Sequence, residues 1–389
     1  MKRLSLILLV LCSFSFAFGQ EKADSLRLDS AMESYQNYDF ERVIKLLKTQ
    51  NEPSFEAWRI LAKAYQKVGQ LEEAKTAYLE AYEIDSQSVS VRNELAVCLL
   101  NLGDDQAAIK LYQELIEEQP KNAFYQRKLA LIYDAQKEVI PAVLAYTKAL
   151  ELNPADLASA VNLSALYHKL QQYKAADSLI EHYLSTYPNN PNLLKAALKT
   201  AYKLRAYQKV TDLAEQLFAA SDSSLISQKI AGIAYFHEKE YEKAIQLIEN
   251  VIAVDRDSEI LHYYLGLSYR ELGEGKKATA LLEKAIDLGV SENLGNYYLQ
   301  LAVSFEEQEN YPEAIKAYQV AYKSTKDKVI LYHLARSYDR YYKDKSIALS
   351  YYEKYLEEED TANQFLQNYS KHRIEELKVA RHFELDSLN

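Results

Sequence analysis

The sequence is poor in the residues that break or bend helices. Only 9 glycines and 7 prolines occur among its 389 residues, about a third of the share in an average protein. A β-sandwich or barrel needs such residues in its hairpin turns, and a long disordered chain would contain more of them and fewer apolar residues. Because 48% of the residues are apolar, the scarcity of glycine and proline favours a helical protein.

Cysteine and the common catalytic motifs are also scarce. Cys98 is the only cysteine after residue 20, so we expect it to pack as a small apolar side chain. The sequence contains no G-x-x-x-x-G-K-[S/T] loop, no H-E-x-x-H and no G-x-S-x-G. None of the seven histidines has metal-ligand spacing with a third ligand nearby. We therefore expect a protein that is not an enzyme and has no catalytic residues, metal or cofactor.

Positive charge is in deficit, with a formal net charge of −10. An acidic surface repels phosphate backbones, and no dense patch of lysine and arginine offsets this charge. Nucleic acid is therefore not expected as a partner.

Residues 1–19 have the features of an export signal, with a basic start at Lys2 and Arg3, an apolar stretch, and small residues before a cut at Gln20. The alternative is an N-terminal membrane anchor, but the apolar run is shorter than the roughly 20 residues that span a bilayer. No later stretch is long enough to cross a membrane. We expect an exported chain, periplasmic or extracellular, that could associate peripherally with the outer membrane.

Small and aromatic residues recur every 34 positions, and no residue is gained or lost between copies from residue 55 to 292. In this register the recurring pairs of an apolar residue and a small residue are Leu61-Ala62, Leu95-Ala96, Leu129-Ala130, Leu163-Ser164, Ala231-Gly232 and Leu265-Gly266. After two extra residues near Gly289 the pattern resumes with Leu301-Ala302 and Leu334-Ala335. A fixed period of this length indicates a stacked repeat architecture. A single unit cannot bury its own apolar face, so stacking is obligatory.

This pattern resembles the tetratricopeptide repeat family, whose unit is a helix–turn–helix of 34 residues. The resemblance implies an all-α, right-handed α-solenoid, or superhelix, of about ten units closed by a C-terminal capping helix. It places unit starts near residues 55, 89, 123, 157, 191, 225, 259, 295 and 328. We predict a signal peptide at 1–19, an N-terminal region with a degenerate first repeat at 20–54, the repeat array at 55–360, and a cap helix and tail at 361–389.

Tyrosine is abundant, with 33 copies against 11 phenylalanines. If the first residue of a unit is position one, fifteen tyrosines fall at positions 11, 17 and 24, where we expect their rings to fill the layers between helices. Those at position 24 are Tyr78, Tyr112, Tyr146, Tyr318 and Tyr352. The distribution is uneven, because 16 of the 33 lie between Tyr263 and Tyr369. The C-terminal units are therefore the place to look for a partner.

The resemblance also implies where a partner binds, because the inner, concave wall in this family is made mainly by the first helix of each unit. The corresponding positions here are more basic and aromatic than an acidic chain would suggest, and arginine and tyrosine often form binding hot spots. The candidate partner-binding residues are Tyr202, Phe236, His237, Tyr263, Tyr264, Arg270, Tyr332, His333, Arg336 and Arg340. We expect a peptide or segment with acidic or aromatic features, above all at residues 259–340. The alternative is that these are ordinary solvated helix faces.

One binding mode of the family is disfavoured. Units that grip a C-terminal carboxylate carry an asparagine on the second of three first helices, but Arg59 and Lys63 are followed here by Glu94. The expected function is a non-catalytic scaffold or adaptor in the bacterial envelope that captures a protein or peptide on its concave face. The alternatives are a permanent structural subunit of an envelope assembly or secretion complex, and an accessory binding module for an envelope enzyme.

Overall fold

The computed structural model describes residues 24–50, 53–289, 292–357 and 363–386. In these residues 21 helices and no strand are present, and they form ten hairpins followed by a terminal helix. The all-α repeat fold predicted from the sequence is confirmed. The predicted signal peptide at 1–19 lies outside the described residues.

The ten hairpins each consist of a first helix, a short turn and a second helix. In chain order they are α1 (24–36) with α2 (Phe40–Leu47), α3 (Phe55–Lys67) with α4 (Leu71–Ile84), α5 (Val89–Leu102) with α6 (Asp105–Glu118), α7 (Ala123–Ala135) with α8 (Val139–Leu152), α9 (Leu157–Lys169) with α10 (Tyr173–Thr186), α11 (Pro191–Lys203) with α12 (Tyr207–Ala219), α13 (Leu225–His237) with α14 (Tyr241–Ile252), α15 (Glu259–Glu271) with α16 (Gly275–Leu288), α17 (Leu294–Glu307) with α18 (Tyr311–Thr325), and α19 (Val329–Tyr341) with α20 (Ser346–Glu357). The terminal helix is α21 (Gln364–Asp386). No helix within the described ranges combines the length and apolar character needed to cross a membrane.

The chain divides into two compact units, Met1–Leu179 and Ile180–Asn389, called unit 1 and unit 2 below. Helices α1 to α9 lie in unit 1, and α11 to α21 lie in unit 2. The uninterrupted 34-residue period gave no indication of this division.

Capping side chains mark the start of five of the first helices in the described residues, namely α3, α7, α9, α11 and α13. From α3 to α15 each first helix starts 34 residues after the previous one. The Ser54 hydroxyl accepts a hydrogen bond from the Ala57 amide at 3.2 Å, and the Asn190 side chain accepts from two amides at the start of α11. These contacts satisfy N–H groups that have no partner inside the helix. The period of the sequence is thus the period of helix onset.

A left-handed residue ends the first helix in nine of the ten hairpins within the described residues. Glycine occupies this position at Gly69, Gly103 and Gly273, where φ is about +80° and lack of a Cβ makes the conformation accessible. The other six hairpins place a non-glycine residue there, with φ between 57° and 63°: Tyr38, Lys137, Gln171, Arg205, Lys239 and Glu309. Only the glycines mark this turn in the sequence, because the other residues at this position are of several types.

Small residues let the two helices of a hairpin approach closely. A Cβ added at Gly232 in α13 would lie 2.7 Å from Ile248 Cγ1 in α14, and one at Gly266 would lie 3.0 Å from Leu282 Cγ. The facing alanines, Ala244 and Ala278, are fully buried. The close approach predicted from these small residues is confirmed at both hairpins.

The tyrosines at position 24 form the core of their layers. Tyr78, Tyr112, Tyr146, Tyr318 and Tyr352 are each at most 1% exposed, so their assignment to packing is confirmed. In four of them the hydroxyl is hydrogen-bonded to a side chain on a first helix. Cys98 is also fully buried, and burial raises the pKa of its thiol, as expected for a packing residue.

The terminal helix α21 covers the last hairpin of unit 2. Ile374 and Leu377 are buried against Leu331 and other apolar side chains of α19 and α20. The Arg373 guanidinium donates to both carboxylate oxygens of Asp339, at 2.7 and 3.1 Å. This pair fixes α21 on α19 and closes an apolar face that would otherwise meet water.

Candidate partner-binding wall

The first helices of unit 2 form a row. Helix α11 contacts α13, α13 contacts α15, and α15 contacts α17, in addition to the contacts that each makes with its neighbours in sequence. All ten candidate residues lie on α11, α13, α15 and α19. We call the surface of α11, α13, α15, α17 and α19 that carries them the first-helix wall.

Five of the candidate residues are brought together with Tyr207 into one aromatic cluster. The rings of Tyr207 and His237 are stacked, with centroids 4.0 Å apart and an interplanar angle of 7°. His237 Nε2 and the Tyr264 hydroxyl are 3.2 Å apart and share a hydrogen bond. The remaining members are Tyr202, Phe236 and Tyr263. The cluster therefore spans α11 to α15 and includes the first residue of α12.

The aromatic cluster is uncharged at neutral pH. Burial raises the pKa of Tyr264, and the nearby Tyr202 and Tyr207 raise it further. Burial and the positive charge of Arg205 lower the pKa of His237. His237 nevertheless keeps an exposed edge. The cluster thus offers half-buried rings with one wet side, which is the surface type that forms binding hot spots.

The candidate Arg270 is already engaged by its neighbours. Its Nη1 donates to Gln300 Oε1 at 2.7 Å, and its Nη2 donates to Glu271 at 3.0 Å. Its Nε lies 3.8 Å from a Glu307 oxygen. Because the side chain is only 13% exposed, it connects α15 to α17 and presents little free charge to a partner.

The candidates His333 and Arg336 surround a buried carboxylate, that of Glu306 in α17. Arg336 Nε lies 3.2 Å from Glu306 Oε1, and His333 Nδ1 lies 3.7 Å from Oε2. The Tyr318 hydroxyl donates to Oε2 at 2.7 Å. Burial acts to raise the pKa of Glu306, but these three partners outweigh it and hold the pKa below its usual value. Arg336 therefore serves to neutralise a buried charge.

Arg340 and Tyr332 have different environments. Arg340 is exposed, and its Nη1 donates to the Tyr311 hydroxyl at 3.1 Å. Tyr332 is only 4% exposed, because its ring packs against Tyr355 and Tyr369. Tyr332 thus belongs to the core that supports α21 and is not presented on the surface.

The unpaired cations of the wall lie elsewhere, beside the aromatic cluster. Lys199, Lys203 and Arg205 are exposed and Lys229 is half-buried, and none of these four side chains makes an ion pair or hydrogen bond in the described structure. They lie on or next to α11 and α13. The sequence alone could not show which cations of the wall were paired.

Glu306 and Tyr207 were missed as members of the wall. A signal for Glu306 existed, because Gln66 and Tyr78 stand at the same spacing of twelve residues in unit 1 and share a hydrogen bond of 3.2 Å. No group of three or more histidine, cysteine or acidic side chains arranged to hold a metal occurs in the part of the chain that the structure describes.

The fold and its sequence period together define a class, the stacked helical-hairpin repeat proteins. One family model described as tetratricopeptide repeat matches residues 55–123 and 231–293. A second model with the same description matches residues 297–324. The chain is a tetratricopeptide repeat protein. Such repeats are generally non-catalytic modules that bind proteins or peptides, so the chain is a protein-interaction scaffold. No curated protein is a significant match to the sequence.

Similar solved structures include two that are described as tetratricopeptide repeat proteins. A tetratricopeptide repeat protein from Parabacteroides merdae ATCC 43184 is 16% identical, with a TM-score of 0.45 and coverage of 64% of this chain and 99% of that one. YrrB, described as having an unusual peptide-binding site, is 21% identical, with a TM-score of 0.43 over 47% of this chain and 94% of that one. The Cut9–Hcn1 hetero-tetramer of APC/C matches at 13% identity and a TM-score of 0.44, covering 91% of this chain and 84% of the other.

Proposed function

We propose that the protein is a non-catalytic scaffold of the bacterial envelope that captures a protein or peptide partner on the first-helix wall of unit 2. The observation that carries the proposal is the position of the unpaired cations Lys199, Lys203, Arg205 and Lys229 next to the aromatic cluster. This combination places free positive charge beside half-buried rings in an otherwise acidic protein. The complementary partner is a segment that carries carboxylates around an apolar or aromatic side chain.

The paired cations of the wall have another role in this proposal. Arg270 connects α15 to α17 and Arg336 connects α19 to α17, so both hold successive hairpins together. An exposed cation that makes no ion pair can bind a partner protein at little cost in free energy, because no acceptor within this protein loses its donor. The contact centre therefore lies on α11, α13 and α15.

The envelope location rests on the N-terminal sequence. The basic start, the short apolar stretch and the small residues before Gln20 have the composition of an export signal. Export is tested by the mass of the mature chain after cell fractionation. A chain that begins at Gln20 in the periplasmic or extracellular fraction supports the proposal, whereas a full-length chain in the cytoplasmic fraction contradicts it.

Binding on the wall is tested by crosslinking in cells. A photo-crosslinking residue is placed at Lys203 on α11 and, as a matched control, at Lys284 on the second helix α16. Both lysines are exposed, and neither side chain makes an ion pair or hydrogen bond in the described structure. The proposal predicts a discrete crosslinked partner from position 203 and none from position 284. Equal yields from the two positions would contradict it.

A second candidate, a permanent structural subunit, is favoured by one feature of unit 1. Ile140 and Leu144 lie one turn apart on the second helix α8 and are 57% and 66% exposed. Exposed apolar pairs of this kind are found where a subunit packs. If this reading holds, Ile140→Glu with Leu144→Glu releases the protein from a large complex on a sizing column, while Lys203→Glu does not.

A further inference from the structure

The second helix of the first hairpin is too short to cover the next hairpin. Helix α2 has 8 residues, whereas the second helices α4 to α20 have 12 to 15. A helix rises 1.5 Å per residue, so at least about 6 Å of cover is missing. A pocket of about 240 Å³ lies in this region of unit 1.

The walls of this pocket are apolar and aromatic. Trp58, Leu61 and Tyr65 of α3 line it, together with Leu47, Pro53 and Ala77. Leu61 and Tyr65 are buried at 2% and 7% exposure, while Trp58 is half-buried. Two aromatic side chains therefore line a space that is large enough for an extended side chain.

The polar groups of the pocket offer hydrogen-bond acceptors. Gln50 Oε1 is buried and has no hydrogen-bond donor. The Thr76 hydroxyl already donates to the Glu72 carbonyl oxygen at 2.9 Å, so its remaining capacity is to accept. Glu73 adds a carboxylate at the rim, and its charge, together with burial, raises the pKa of Tyr65. The one cation among the lining residues, Lys48, is exposed.

We propose that this pocket, named here the Trp58 pocket, binds an alkylammonium group such as the lysine side chain of a partner protein. The methylene chain lies against Trp58, Leu61 and Tyr65, and the ammonium is attracted to the ring faces and to Glu73. Its three N–H donors match Gln50, Thr76 and Glu73, all of which can accept. A neutral or anionic group of the same size leaves Glu73 without a counter-charge. This site lies in unit 1 and does not depend on the wall of unit 2.

The experiment uses Trp58 as the reporter, because it is the only tryptophan of the chain. The intact protein is titrated with Nα-acetyl-lysine amide while the fluorescence and the melting temperature are recorded. The matched probe is the same compound acetylated on its side-chain nitrogen, which is longer and has no charge. We expect a saturable fluorescence change and a higher melting temperature with the charged probe, and at least about fivefold weaker binding of the acetylated one.

Three variants locate the site. Glu73→Gln is expected to weaken binding of the charged probe by about fivefold, whereas the neighbouring Glu72→Gln leaves it unchanged, since only the carboxylate of Glu73 lines the pocket. Lys48→Gln is expected to bind the probe at least as tightly as the parent protein. Absence of both a fluorescence change and a melting shift overturns the proposal. Equal binding of the two probes, or an equal loss in the two glutamate variants, also overturns it.

Discussion

The buried hydroxyl of Tyr318 donates a hydrogen bond of 2.7 Å to the carboxylate of Glu306. The two residues are twelve positions apart, one on the second helix α18 and one on the first helix α17. In unit 1 Tyr78 and Gln66 make the corresponding hydrogen bond. The repeat thus places a polar acceptor on the first helix for a buried tyrosine of the second. At Glu306 the acceptor is charged, and Arg336 and His333 compensate for it.

Tyr318→Phe should therefore destabilise the protein more than Tyr78→Phe does. Loss of the Tyr318 hydroxyl leaves a buried carboxylate oxygen without its donor, at a cost of about 1–3 kcal/mol, whereas loss at the neutral Gln66 costs about 1 kcal/mol. The measurement is the free energy of unfolding of both variants by urea denaturation. Equal losses of unfolding free energy in the two variants would show that the charge of Glu306 does not strengthen the hydrogen bond from Tyr318.

The lowered pKa of Glu306 has a consequence for acid stability. In the folded protein the carboxyl stays ionised to lower pH than in the unfolded chain, where its pKa is about 4.3. Its contribution to stability is therefore fully present above the unfolded value and is lost as the pH falls through the folded value. Glu306→Gln removes this dependence. The difference in unfolding free energy between parent and variant should shrink as the pH falls below about 4.3, and a constant difference would contradict the assignment.

The left-handed turn residues predict opposite effects of two substitutions. Lys137→Gly removes the strain of a side chain at φ of 63° and should raise the free energy of unfolding by about 0.5–1 kcal/mol. Gly103→Ala introduces the strain at the equivalent turn and should lower the free energy of unfolding by about 1 kcal/mol. A Cβ there meets no atom within 4 Å, so backbone strain is the only cost. Thermal unfolding of both variants measures the effects. Two shifts of the same sign would argue against backbone strain as the cause.

Close helix approach at Gly232 predicts a steric cost. Gly232→Val should lower the unfolding free energy by about 1–3 kcal/mol, because the added atoms collide with Ile248. In a chain that also carries Ile248→Ala, the valine has more room, so it should lower the free energy of unfolding by less than it does alone. A double-mutant cycle measures this coupling, and simple additivity would mean that the two side chains do not meet.

The features that recur in every hairpin were predictable from the sequence, whereas the contacts between neighbouring hairpins were not. Small residues and buried tyrosines recur in register, so the packing of one hairpin predicts that of the next. The cap helix was predictable because the last apolar face has to be closed. Arg270 and Lys203 look alike in sequence, but only the structure shows that Gln300, thirty residues away, engages the first. For the same reason the sequence emphasised residues 259–340, while the unpaired cations lie on α11 and α13.

The Trp58 pocket shows a different limit. The sequence predicts a degenerate first repeat, but not the space beside its second helix. That space depends on how far α2 reaches across α3, which is a property of the fold. The unpartnered Gln50 oxygen likewise depends on which donors the fold brings near.

The central claim, that a partner binds the first-helix wall beside the aromatic cluster, is tested most directly by the affinity of wall variants for the partner crosslinked at position 203. Lys203→Glu and Tyr264→Ala should each weaken binding by about tenfold or more, the loss typical of a hot-spot residue. The charge reversal Lys284→Glu on α16 should change the dissociation constant less than twofold, within the roughly 0.5 kcal/mol typical of neutral surface changes. With all three variants folded as judged by their melting temperatures, equal affinities would contradict the account.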